Sequence, residues 1–203
     1  MKKKIVNSAA AKEIDSIAKM LGDVLTEIQG AFKKHRLSLK YQQTTTDVTK
    51  TLRKSLVTFY EVAEEMSGNE ALAVQATAIN LSKVFYDILR LSNQVETKVK
   101  EEVMFSEAAV GEVEELIRRT AELLPHVADA IRTCNPLIIA HVNKEVDELR
   151  ANAANTTVFH EDRLCKGACH PKASVIFMQM MQHLQDILWH FKALVTENGI
   201  PSL

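Results

Sequence analysis

Glycine and proline are scarce in this chain, six and four among 203 residues. So few turn formers leave little material for β-hairpins and argue against a turn-rich β architecture. Cysteine is also rare. Three residues, Cys134, Cys165 and Cys169, are an odd number in a chain large enough to fold without staples, which favours free thiols in a reducing compartment. No run approaches the roughly 20 apolar residues that span a bilayer, and Met1 to Asn7 lacks the apolar continuation of a signal peptide. The chain as it stands therefore reads as cytoplasmic. Neither sign of charge prevails: 25 Lys and Arg against 26 Asp and Glu give a net charge of -1, and no nucleic-acid partner is expected. The one basic run, Lys2 to Lys4, reads as a solvated terminus or as a chain emerging at the inner face of a membrane. Gly-rich phosphate loops, nucleophile elbows and metalloprotease helix motifs are missing, so neither an enzyme nor a cofactor is expected.

What is present is helical periodicity almost throughout. Ile14, Ile17, Leu21, Val24 and Ile28 step at heptad intervals along a first helix that continues to about His35. Thr44 to Asp47 offer N-caps for a second, with its stripe Val48, Leu52, Leu56, Phe59, Val62 and Met66, closed by Ser67-Gly68-Asn69. The third carries Val74, Leu81, Val84, Ile88, Leu91 and Val95. Ser106 then caps a fourth, Val113 to Ile131, in which Pro125 marks a kink or a local break. Asn135-Pro136 starts a fifth, through Ile139, Val142, Val146 and Leu149 to about Arg163. Pro171 starts the sixth, whose core stripe is Phe177, Met180, Leu184, Ile187, Phe191 and Leu194. The tail from Gly199 to Leu203 is expected to fray.

Three helices on each side of residue 103 predict an all-α fold of two tandem three-helix bundles, residues 1–103 and 104–203, joined in one unit. Trp189, the single tryptophan, falls opposite the core stripe of the sixth helix. A large aromatic there implies a covering partner.

Three segments resemble the PhoU family, and most of all the PhoU-like cytoplasmic domain that follows the membrane part of bacterial sodium/phosphate cotransporters. They are Phe105-Ser106-Glu107-Ala108-Ala109, Asn143 to Leu149, and Arg163-Leu164 followed by Gly167, Cys169, Pro171, Ala173 and Ile176-Phe177. The first half matches mainly by helix pattern and by Asn80-Leu81. The resemblance implies helices that regulate phosphate uptake, with multinuclear metal sites held by a Glu and an Asp four residues apart in Asp-Leu-Glu-Arg-Ile-Gly-Asp. At those two positions this chain has Ser82 and Tyr86 in the first half, and Gln185 and Trp189 in the second. None of them ligates a cation as a carboxylate does. The family glycines become Phe85 and Leu188, so the family's metal sites are expected to be absent. Phe85, Tyr86, Leu188 and Trp189 then either fold onto neighbouring helices and finish the core, or contact a second copy or a transporter's membrane part.

Other groupings are weaker. His183, Asp186 and His190 share one helix strip, and as the candidate metal ligands of this chain they compete with a plain solvated flank. His160, Cys165, Cys169 and His170 are ligand types that suit zinc, at a spacing that matches no established finger. Glu61, Glu64, Glu65, Glu112, Glu114 and Glu115 read as solvated faces, and Met178, Met180 and Met181 as core filling. The function expected is a regulatory, non-enzymatic domain whose partner is the membrane part of a phosphate transporter, a phosphate-signalling protein or a second copy of the chain. It would lie in the cytoplasm or be tethered to the inner membrane as part of a longer transporter. The alternative is a free-standing, metal-binding regulator of phosphate uptake.

Overall fold

The computed structural model describes residues 8–196, and among them every regular element is an α-helix. They are α1 (Ser8–Lys34), α2 (Leu39–Glu64), α3 (Gly68–Lys100), α4 (Glu107–Thr133), α5 (Pro136–Cys165) and α6 (Pro171–Thr196). The basic run Lys2 to Lys4 and the tail from Gly199 lie outside the described residues.

Local chemistry sets most of the boundaries. Ser106 Oγ accepts from the N–H of Ala109 at 3.3 Å, and Asn135 Oδ1 accepts from the N–H of Leu137 at 2.9 Å ahead of Pro136. α5 closes with Gly167 in the left-handed region, where the N–H groups of Gly167 and Ala168 reach back to the carbonyls of Leu164 and Arg163. α2 departs from expectation. It starts at Leu39 behind Ser38, whose Oγ accepts from the N–H of Tyr41 at 3.0 Å. The threonines are interior: Thr45 Oγ1 donates to the Tyr41 carbonyl at 2.8 Å, a bond available only once the helix is formed. Likewise Ser67 is the residue ahead of α3 rather than the end of α2, and α4 runs unbroken through Pro125.

α1, α4, α6 and α3 touch in a closed cycle, with α2 laid on α1 and α3, and α5 laid on α4 and α6. Among the described residues the backbones of α1 and α6, and those of α3 and α4, do not come close to one another, so these pairs lie diagonally across the cycle. Ion pairs at both ends show that α1 and α4 run antiparallel: Lys33 with Glu114 at 2.7 Å, and Arg132 with Asp15 at 3.3 Å. The expected stripes of α1, α3, α4 and α6 are all buried, forming one continuous core. None of the described helices is long and apolar enough to cross a membrane.

Candidate functional site in the α3–α6 cleft

α3 and α6 also run antiparallel, since Asn80 near the start of α3 meets His190 near the end of α6, and Glu101 meets Lys172 at the other end. Their stripes bury Leu81, Val84, Ile88, Leu184, Ile187 and Phe191. Flanking that apolar strip is a buried polar line. Asn80 Oδ1 lies 3.1 Å from His190 Nδ1, while its amide nitrogen donates to the Ala76 carbonyl at 3.0 Å. One heptad further along α3, the Asp87 carboxylate is 6% exposed, accepts from Arg90 at 2.9 Å and stands 3.8 Å from His190 Nε2. Burying a carboxylate in this way requires such partners.

His183 and Asp186 join it from α6. One ligand atom from each of Asp87, His183 and Asp186 lies within 4.8 Å of the others, and among the described residues no other trio of His, Cys or carboxylate side chains comes so close together. Gln182 donates to Asp186 at 2.8 Å. The His183 Nδ1 atom is buried and has no hydrogen-bond partner. Burial pushes the His183 imidazole below its ordinary pKa; Asp87 and Asp186 oppose that shift and Arg90 adds to it. Lys83, Tyr86, Asp87, Arg90, Asp186 and His190 line a cleft of about 340 Å³ at this place.

The strip His183, Asp186 and His190 is therefore not a solvated flank. It faces α3, with His190 buried and the other two half-buried. His183 and Asp186 converge with Asp87, which the sequence reading passed over, while His190 turns to Asn80. A signal for Asp87 was present: Asn80 and Asp87 are seven residues apart, as are His183 and His190, so four polar side chains recur in two heptad pairs.

The four aromatic and apolar candidates divide. Phe85 and Leu188 are 2% and 0% exposed and belong to the core, which removes them from any free surface. Tyr86 and Trp189 are 52% and 47% exposed. Trp189 meets His190 edge-on with ring centroids 4.8 Å apart, and Tyr86 leans on Phe85 at 5.4 Å. Such amphipathic rings, anchored on one side and wet on the other, are suited to a protein contact. His160, Cys169 and His170 line a separate cavity and do not gather as ligands, and Cys165 is exposed. Met180 and Met181 fill the core. Glu112 and Glu114 are not fully solvated, being held by Arg163 and Lys33.

The α3–α6 face thus offers two things: a cleft with a charged rim, near which the rings of Tyr86 and Trp189 are exposed, and one imidazole, His183, with two carboxylates close enough to share a cation. Compared with known protein families, with curated proteins and with solved structures, the chain matches none.

Proposed function

We propose that this chain is a non-enzymatic regulatory and interaction domain in phosphate transport, acting as the cytoplasmic part of a sodium-dependent phosphate transporter. The observation that carries the reading is the exposure of Tyr86 and Trp189, which stand where the PhoU-like pattern has its second carboxylate in each half. A surface that in relatives would hold ions is here aromatic. The mechanism is binding without turnover: the α3–α6 face touches one state of the membrane part more favourably than another and shifts the balance between them.

The fold reading that accompanies it is two tandem three-helix bundles, α1–α3 and α4–α6. It is supported by the matching contact sets of the two trios, in which every helix touches the other two of its own trio, and by the cross-contacts of α1 with α4 and α3 with α6. It is supported also by the polar line. Equating Asn80 with His183 and Asp87 with His190 turns the Asn80–His190 contact into the Asp87–His183 contact.

The test is radiolabelled phosphate uptake, driven by sodium, in proteoliposomes carrying a bacterial sodium/phosphate cotransporter stripped of its own cytoplasmic domain. Added chain is expected to change the uptake rate, and the Trp189→Ala variant to leave it at the value without the chain. Equal rates with and without the native chain would refute the reading.

A second reading is favoured by the Asp87, His183 and Asp186 group. One nitrogen and two carboxylate oxygens suit a borderline divalent ion such as zinc or manganese, although Arg90 and Gln182 already engage the two carboxylates. Equilibrium dialysis against zinc decides it: stoichiometric uptake that Asp87→Asn abolishes would establish the site, and no uptake by the native chain would dismiss it.

A further inference from the structure

At the other end of α6 lies a cavity of about 220 Å³ where the first turns of α4 and α6 come together. Met104, Phe105 and the cap Ser106 line it ahead of α4, Cys169 and His170 ahead of α6, and Ala109 and Ala173 from the first turns of the two helices. His160 enters from α5. It is 2% exposed, and both of its ring nitrogens are buried without a hydrogen-bond partner. Its ring lies flat on Phe177, with centroids 3.9 Å apart and planes 13° apart, which fixes its orientation. Leaving two buried polar atoms unpaired is costly, and an imidazole so placed calls for a ligand that can use it.

The geometry points to a binding site for a small tetrahedral oxyanion of the phosphate or sulfate type in this cavity, with His160 as its buried donor and the N-termini of α4 and α6 as its electrostatic cradle. Each helix is more than 25 residues long. Each presents the positive end of its dipole. Of the first-turn N–H groups, that of Ala109 is taken by Ser106 Oγ and that of Lys172 by His170 Nδ1, and Pro171 has none, which leaves the Ala173 N–H on the cavity wall of α6. Positive dipole ends approach from two helices, and the His160 ring from a third element, α5. This favours a ligand with oxygens in several directions over a flat carboxylate. The volume is several times the roughly 30 Å³ that a water occupies in the liquid, which is room enough for such an ion.

The charges around His160 are compatible with this. On its own helix stand Glu161 and Arg163, and Glu112 faces it from α4. Arg163 grips Glu112 with two bonds of 2.8 and 2.6 Å, so the nearest pair is neutralised internally. Cys169 and His170 complete the wall, and His170 Nδ1 accepts from the Lys172 N–H at 3.2 Å. Burial, seconded by Arg163, holds the free imidazole below its ordinary pKa. An entering dianion reverses that balance by drawing a proton onto the ring, so binding and protonation of His160 are coupled. The site lies at the first turn of α6 and does not depend on the role of the α3–α6 cleft.

Sulfate is the suitable probe because its charge stays constant while histidine titrates. The measurement is titration of the full chain at fixed ionic strength, read by calorimetry and by the His160 ring signals in NMR, from about pH 5.5 to about pH 8. Saturable one-to-one binding that shifts the His160 signals and weakens as pH rises is expected. Phosphate is expected to compete and acetate not to. In His160→Phe, which keeps the stack on Phe177 and removes both nitrogens, affinity is expected to fall about tenfold or more. No saturable shift of the His160 signals in the native chain would overturn the site, a result independent of whether the variant folds. Unchanged affinity in a folded His160→Phe would do so too, as would acetate competing as well as sulfate.

Discussion

Two seams close the central cycle of helices, and they are built differently. α1 and α4 together carry a single buried polar side chain among the described residues, Thr120, which satisfies itself by donating to the Leu116 carbonyl at 2.7 Å. Charged pairs are kept to the ends of that seam, at Lys33 with Glu114 and Arg132 with Asp15. α3 and α6 bury Asn80, Asp87 and His190 against one another, while the buried Ser92 and Lys98 of α3 turn instead to Tyr41 of α2 and to His35. The first arrangement follows from burial alone. The second is expensive, because each polar group must be given partners, and it makes sense where pairing specificity or a function repays that cost. On the proposed reading, α1–α4 serves stability and α3–α6 serves recognition.

The largest effect that sharpens the contrast is in the apolar seam. Leu124 is 1% exposed and lies over Gly22, its Cδ1 3.9 Å from where a Cβ on that glycine would stand. Leu124→Ala is expected to lower unfolding free energy by about 2–5 kcal/mol in denaturant titration. A loss under about 1 kcal/mol would mean that the seam can collapse and is not the anchor described.

Acid comes next. His35, His160 and His183 are each held below the ordinary value of 6.5, burial being the leading cause in all three. The unfolded chain therefore takes up protons before the folded one does. Stability is retained above about pH 6.5 and falls as pH drops below it. His160 lies in α5 and His183 in α6, while His35 directly follows the last residue of α1 and meets Lys98 of α3. Thermal melts across this range test the sign, and His183→Gln should flatten the curve. Greater stability at lower pH would contradict it.

A smaller change is expected from Asp87→Asn. The cationic partner it abandons, Arg90, is 62% exposed and returns to water, and toward His190, 3.8 Å away, the amide still offers an oxygen or an N–H. The cost is expected to be about 1 kcal/mol in the same titration. A loss above about 3 kcal/mol would make the polar line a structural keystone and blur the distinction between the seams.

Much of the fold was legible because helix stripes and caps are local. The stripe of α6, the cap at Ser106, and the starts at Pro136 and Pro171 follow from residues within a few positions of one another. The start of α2 was obscured by chemistry with two uses: a threonine run reads as an N-cap, yet its hydroxyls can equally bond back to the preceding turn, as Thr45 does. The site was half legible. His183 and Asp186 could be placed on one strip, but their meeting with Asp87 depends on the antiparallel register of α3 and α6, which no periodicity within either helix encodes. For the same reason Phe85 and Tyr86 looked alike in sequence, although one is covered by neighbouring elements and the other is not.

The smallest expected change in stability accompanies the largest in recognition. Tyr86 and Trp189 are half exposed, and Tyr86→Ala with Trp189→Ala should alter unfolding free energy by no more than about 1 kcal/mol. The decisive measurement is the affinity of the native chain and of this double variant for the membrane part of a sodium/phosphate cotransporter in nanodiscs. The account predicts saturable binding by the native chain and a loss of about 100-fold or more in the variant, as for two anchoring aromatics. Equal affinity of the two, or no binding by the native chain, would contradict it.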